Sequence, residues 1–298
     1  MTVHGEREVI PATTKAEAAK AVKLFTAGYN KAYREVDPSV IAGVETGALH
    51  TMGHAGLKAQ RVNQPEGNPG YPDLELSDTK YTIPKQAGWP KFFLVDTDSN
   101  RNDFRWLLVF TRSAADEAWK AAYLSILRKD KVPEFKKDAD GWAEPVAGGS
   151  SAGLAMAPGK LSETYADYLE TGKGDAFAPG QATTDQLATR RKLRKTVHFW
   201  TDYDDQPARP PQYTPLALRT ADGGALAFFA THHAEQRSMA QGFSVGKIED
   251  ATTNGLLTGK ARTTLIQRRI SESAVLIPTD GPVEFLNRLE GVTAARGR

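Results

Sequence analysis

Apolar and polar positions fall in blocks along this chain, and two of the blocks set its pattern. Phe92 to Thr111, led by Lys91, runs apolar, polar, apolar: KFFLV, then DTDSNRNDFR, then WLLVFT. This is the sequence form of a β-hairpin. Pro215 to Thr231, PLALRTADGGALAFFAT, repeats the device in shorter form. With Thr97 set against Thr220 and Thr111 against Thr231 the strands align, and only the turns differ, DSNRNDFR in one and ADGG in the other. The repeat predicts two related halves.

Helical spacing comes before each hairpin. After Pro11-Ala12-Thr13-Thr14, the residues Ala18, Val22, Phe25, Tyr29, Ala32 and Tyr33 recur at three- and four-residue steps, an amphipathic helix with lysines between them. Asp37-Pro38 breaks it, and Ser39 to Met52 restarts a helical pattern weakened by Gly43 and Gly47. Asn63 to Pro72 reads as a loop and Leu74 to Ile83 as a strand. Ser113 to Leu127 reads as a capped helix on Ala118, Trp119, Ala122, Tyr123, Ile126 and Leu127, with an irregular strand as the other reading.

In the second half, Pro158 to Thr171 and Thr184 to Lys195 have helical patterns, and Gly172 and Gly174 end the first. Asp204 to Pro215 reads as a proline-rich loop. Ala261 to Ile270 and Ala274 to Ile277 read as two strands separated by Ser271-Glu272-Ser273. Thr279 to Pro282 is a turn, and Val283 to Leu289 pairs back or forms a short helix. Asp140 to Gly153, rich in glycine and serine, is the expected linker between an N-terminal domain, 1–146, and a C-terminal domain, 147–298. Helices first and an antiparallel sheet after, in each half, predict an α+β fold.

Composition narrows the chemistry. The 38 Lys and Arg against 36 Asp and Glu leave a formal charge of +2, which gives no whole-molecule case for nucleic acid. With no cysteine there is no disulfide, thiolate zinc site or thiol nucleophile. No run approaches the roughly 20 apolar residues of a membrane span, so a soluble chain is expected. The polar start, Met1 to Ile10, lacks a secretory signal's apolar segment. A methionine ahead of a mature extracytoplasmic domain gives such a start, and so does a cytoplasmic chain.

Several phrases resemble a known family: WLLVFTRSAADEAWKAAYLSIL, YADYLETGKG, LRTADGGALAFF and VEFLNRLEG are similar to actinobacterial extracytoplasmic proteins, often lipoproteins or membrane-anchored. The order of elements also resembles the cone of cystatin-like and nuclear-transport-factor-2-like proteins, here in tandem, each cone a set of helices packed on a curved antiparallel sheet. The resemblance implies an extracytoplasmic location. It implies no established activity, catalytic residue or cofactor.

Candidate chemistry is sparse. His50 and His54 have the four-residue spacing of helical metal ligands, but no glutamate stands between them, and a structural role explains them better. His232-His233 follows the second hairpin, with adjacent side chains on opposite strand faces. Glu235, or Asp202, Asp204 or Asp205, is a carboxylate able to orient an imidazole. A cone pocket lined by Trp106, Phe110, Phe228 and Phe229, with His232 or His233 at its mouth, defines a small-ligand carrier or enzyme. Core packing accounts for the same aromatics, and for Trp89, Trp119, Trp142 and Trp200. Arg190, Arg191, Lys192, Arg194 and Lys195 form the strongest local charge, a solvated helix face or a contact for anionic lipid or envelope polymer. The glycine sets form no phosphate-binding loop. The expectation is a non-enzymatic extracytoplasmic binding or scaffolding protein that contacts a protein or envelope partner.

Overall fold

The computed structural model describes residues 8–151 and 153–298. The polar lead Met1 to Arg7, and Ala152 within the expected linker, lie outside the described residues. In chain order, the first half contains β1 (Ile10–Pro11), α1 (Lys15–Glu35), α2 (Pro38–Ile41), α3 (Gly47–Asn63), β2 (Leu76–Thr82), β3 (Lys85–Gln86), β4 (Lys91–Ser99), β5 (Asn102–Arg112) and β6 (Lys120–Leu127). The second half contains α4 (Leu161–Thr171), α5 (Thr184–Arg194), β7 (Phe199–Pro207), β8 (Leu216–Arg219), β9 (Ala225–Met239), α6 (Ala251–Leu256), β10 (Leu257–Thr258), β11 (Thr264–Ile277) and β12 (Glu284–Gly297). The fold is mixed α+β.

Two sheets carry the architecture. The first has the order β2-β4-β5-β6 and the second β10-β12-β11-β9-β7, with β8 also on β9. Every pairing in them is antiparallel except β10 on β12. Both expected hairpins form, β4 with β5 and β8 with β9, in the registers Phe93 to Phe110 and Leu216 to Phe228.

Strand alternation then sorts the apolar side chains into layers. Phe93, Val95, Trp106, Leu108 and Phe110 face α1, where they meet Ala18, Val22 and Phe25. Phe92, Leu94, Leu107 and Val109 face the second sheet and join Leu226, Phe228, Ile270 and Ala274. On that sheet's far side, Ala227, Phe229, Val275 and Ile277 pack on Leu161, Tyr165 and Leu169 of α4. The order is helix, sheet, sheet, helix. A strand in either inner layer is buried on both faces, which is why FFLV, WLLVF and ALAFFA are unbroken apolar runs. Burial of the aromatics on this scale, roughly 1.5–3 kcal/mol per large side chain, holds the layers together.

Four sequence expectations change. Ser113 to Leu127 is not a helix: its apolar stretch is β6, the edge strand beyond β5, whose side chains enter both the α1 layer and the inter-sheet layer. Burial on two faces removes alternation and mimics helical spacing. Asp204 to Pro215 is loop only after Pro207, because Phe199–Pro207 is an edge strand paired with β9. Ser271-Glu272-Ser273 does not interrupt the sheet but lies within the continuous β11. The second helix is two: α2 stops at Ile41, and α3 starts at Gly47 and runs to Asn63.

The stretch expected as linker begins as a clasp. Ala143 donates its N–H to Ile83 and Val146 to Ala217, while the Glu144 carbonyl accepts from Arg219, so the chain between the halves is hydrogen-bonded to both. Gly172 caps α4 in the left-handed region with φ of 65°, as its position after Thr171 predicts.

Candidate functional site

Past Ala230 the central strand β9 turns polar, and its side facing α4 and α5 carries Thr231, His233, Glu235 and Arg237. Register fixes the company of His233. Asp205 of β7 stands opposite it on one side and Arg269 of β11 on the other, while Ser271 pairs with Glu290 of β12 one step along. Arg190, in the last turns of α5, reaches down onto Asp205 from above the sheet.

These residues make one buried polar chain. Arg190 grips Asp205 with both terminal nitrogens, Nη2 to Oδ1 at 2.9 Å, and the shorter Nη1 bond goes to Oδ2. The guanidinium also lies over the Tyr203 ring, 4.6 Å from its centroid. His233 Nδ1 bonds Asp205 Oδ1, and its Nε2 meets Ser271 Oγ at 2.8 Å and Arg288 Nη2 at 3.1 Å. Arg288 in turn pairs with Glu290. Since Arg288 can only donate, Nε2 is the acceptor and Nδ1 carries the proton. The Asp205 backbone N–H is itself bonded to Glu170 Oε1 at 2.6 Å.

Each charge state follows from these contacts. Burial alone would raise the Asp205 carboxyl, but hydrogen bonds from Arg190 and His233 outweigh it and hold it below the ordinary carboxylate range. Burial pushes the His233 imidazole below its usual value, Asp205 pulls the other way, and Arg288 adds to the depression. Glu290 is likewise held low, against burial, by Arg288, His233 and Arg269. The network is a neutral histidine between two ion pairs.

Asp205, His233 and Ser271 thus have the connectivity of a carboxylate, base and hydroxyl triad. Access decides what that connectivity can do. Ser271 is 0% exposed, in the interior of a strand paired on both sides, so its Oγ is closed off from solvent. Arg288 also occupies the Nε2 lone pair. Here the arrangement ties β7, β9, β11, β12 and α5 together.

The remaining sequence-predicted residues are dispersed. Trp106 and Phe110 belong to the α1 layer, Phe228 to the layer between sheets and Phe229 to the α4 layer, so the four do not converge on one space. His232 faces away from His233 and meets the Tyr213 ring edge-on at 5.0 Å. His50 and His54 share a face of α3 with ring centroids 5.5 Å apart. Among the described residues no group of three His, Cys, Asp or Glu is placed to hold a metal ion.

The basic run divides in two. Arg190 is buried and turned inward, whereas Arg191, Lys192, Arg194 and Lys195 are exposed and make no ion pair among the described residues. Lys195 bridges to Trp200, so α5 leads straight into β7 through a tight turn in which Thr196 donates to the Phe199 carbonyl. Sequence reasoning picked out His233, Asp205 and Arg190 separately. Ser271 and Arg288 it missed, because a serine and an arginine inside strands carry no local signal.

A second polar feature went unnoticed in the sequence. Glu272 points opposite to Ser271, into the layer between the sheets; it is 1% exposed and neither carboxyl oxygen closes a hydrogen bond. Burial drives it well above the ordinary carboxylate range, Glu45 adds to the shift, and the Leu124 amide opposes it. Glu45, at the entry to α3, is buried and raised for the same reason.

Fold and site together define an α+β protein whose buried polar centre joins strands and whose free charge lies at one edge. Residues 9–297 match the domain of unknown function DUF8094, and the chain belongs to that family. It is 45% identical over 298 residues to an uncharacterized lipoprotein of Streptomyces coelicolor, covering all of this chain and 90% of that one. A Streptomyces avermitilis uncharacterized lipoprotein is also 45% identical, over 301 residues, with the same coverage. A second S. coelicolor lipoprotein is 26% identical over 307 residues, 96% of this chain and 82% of that one. No solved structure matches the chain. The protein is extracytoplasmic, and its relatives' lipoprotein names imply membrane anchoring. No described helix is long and apolar enough to cross a membrane.

Proposed function

We propose that this protein is a non-enzymatic binding or scaffolding protein of the cell envelope, and that it meets an anionic partner surface through the edge formed by α5 and the start of β7. One observation carries the reading: Arg191, Lys192, Arg194 and Lys195 stand exposed together, without ion-pair partners among the described residues. Surface charges of one sign held on one edge attract an oppositely charged surface. The enclosed Ser271 and the neutral, fully bonded His233 support the absence of catalysis. We read each half as a cystatin-like cone, α1 lying on the first antiparallel sheet and α4 on the second, joined back to back.

The test is cosedimentation of the 298-residue chain with isolated membrane and cell-wall fractions. Binding to either fraction, lost when Arg191, Lys192, Arg194 and Lys195 are all replaced by glutamine, is the expected result. A chain that stays in the supernatant with both fractions refutes the reading.

A second reading, a small-ligand carrier, is favoured by a cleft of about 300 Å³ between Ala178–Thr183 and Glu284–Arg288. Arg288 links its wall to His233. Thermal stabilisation by a small anion, abolished by Arg288→Gln, is the outcome that would move this reading ahead.

A further inference from the structure

The basic edge carries a second, independent property. Val197 is 80% exposed, Trp200 45% and Phe243 46%, three large apolar side chains held in water on the turn before β7, at the start of β7 and on the turn after β9. One hydrogen bond joins those segments, from Ala240 N–H to the His198 carbonyl at 2.8 Å, and a second, from Phe243 N–H to the Ala240 carbonyl at 3.0 Å, closes the later turn on itself. The His198 ring lies edge-on against Phe243, 4.6 Å between centroids. Lys195 bridges to Trp200, which places the end of α5 beside them. Among the described residues, the other exposed large apolar side chains are Val9 ahead of β1, Leu24 on α1, Val62 on α3 and Phe104 on β5.

Basic residues continue along the same end of the sheet. Val245 donates to Arg262, and Arg262 donates to the Arg298 carbonyl, so two exposed arginines follow the Phe243 turn through the backbone. Lys260 is exposed in the same connection. Arg237 covers the inner face of Phe199 at 4.5 Å and stiffens the root of the turn. Asp202 and Asp204, further along β7, mark where the basic edge ends.

Resting on the function proposed above, we propose that the partner surface is an anionic phospholipid bilayer, against which this edge docks with Val197, Trp200 and Phe243 at the headgroup and acyl boundary and the arginines and lysines among the phosphates. A wall polymer satisfies the charge but offers no apolar phase. Three exposed apolar groups set among cations find both needs met only at a lipid interface, where tryptophan's amphipathic ring is also favoured. The relatives' lipoprotein names put such a surface within reach.

The experiment uses the 298-residue chain without an acyl group and vesicles of phosphatidylcholine alone or in an equimolar mixture with phosphatidylglycerol. Expected are cosedimentation with the mixed vesicles only, weakening as salt rises, and a blue shift of tryptophan emission that Trp200→Phe removes. The variant Arg191→Gln, Lys192→Gln, Arg194→Gln, Lys195→Gln should partition on the order of a hundredfold less. The variant Trp200→Ala, Phe243→Ala should bind about tenfold less, with the same salt dependence. Unchanged melting curves establish that both variants are folded. Binding to wall material with none to either vesicle overturns the bilayer proposal and leaves the function reading in place. Binding to no envelope material overturns both. Vesicle binding indifferent to both sets of substitutions overturns the proposal for this edge.

Discussion

Asp205 and His233 are a register pair across β7 and β9, and the carboxylate oxygen that takes the imidazole also takes Arg190. Removing the carboxylate would leave a buried guanidinium without its counter-charge. Asp205→Ala should cost about 3–5 kcal/mol of stability. Ser271→Ala removes one neutral hydroxyl from the same chain and should cost only about 1 kcal/mol. Denaturant titration of the two variants compares them directly, and equal losses would show that Asp205 does not anchor the network.

The same pair gives the fold an acid limit in two stages. His233 has its folded value depressed, so its contribution is complete above the unfolded value of about 6.5 and is lost as pH falls from there through the folded value. Asp205 is also depressed; its contribution is complete above about 3.9 and disappears below that as pH falls through its own folded value. Stability should therefore decline first over the interval that opens below about pH 6.5, by at most about 1.4 kcal/mol per pH unit. His233→Asn should be less stable at neutral pH and flat across that interval. Urea midpoints measured at several pH values test the slope.

These residues also show how far the sequence can be read. The two hairpins were legible because strands buried on both faces become continuous apolar runs, and the helix α1 because only one of its faces is buried. Strand β6 was not legible, since its burial on two faces erased the alternation that marks a strand. The end of edge strand β7, from Asp204 on, was taken for loop because a strand open on one side tolerates Asp204, Gln206 and Pro207. Arg190, Asp205, His233, Ser271 and Arg288 come from five separate elements, and only the register of the second sheet brings them together. No local pattern records that.

Glu272 has the opposite sign. Its folded value is raised, so its contribution is complete below the unfolded value of about 4.3 and is lost as pH rises through the folded value. The fold holds this carboxyl between two sheets, where burial favours its protonated form. Glu272→Met keeps the length of the side chain and removes the polar group, and should stabilise the protein by about 1–3 kcal/mol. The gain should grow toward alkaline pH. Melting curves of the variant and the parent at about pH 6 and pH 9 would expose the trend, and a destabilised variant at both would mean that the carboxyl has a partner it needs.

The last prediction concerns how α3 meets α6, which places the lower end of the second sheet. A Cβ at Gly255 would stand 2.5 Å from the Ala59 carbonyl oxygen and 2.7 Å from its Cα, both backbone atoms with little freedom to withdraw. Ala55, Ala59, Leu256 and Ala295 close the same small cluster, so the two helices touch through small residues. Gly255→Ala raises helix propensity by about 1 kcal/mol, yet the clash opposes it. A net loss of about 1–3 kcal/mol is expected. The loss should be local, because α6 leads directly into β10 on the edge of the sheet. Amide exchange in Ala251–Thr258 should accelerate while the β4–β5 hairpin keeps its protection, and faster exchange in both regions at once would mean that this contact supports the whole fold rather than its edge.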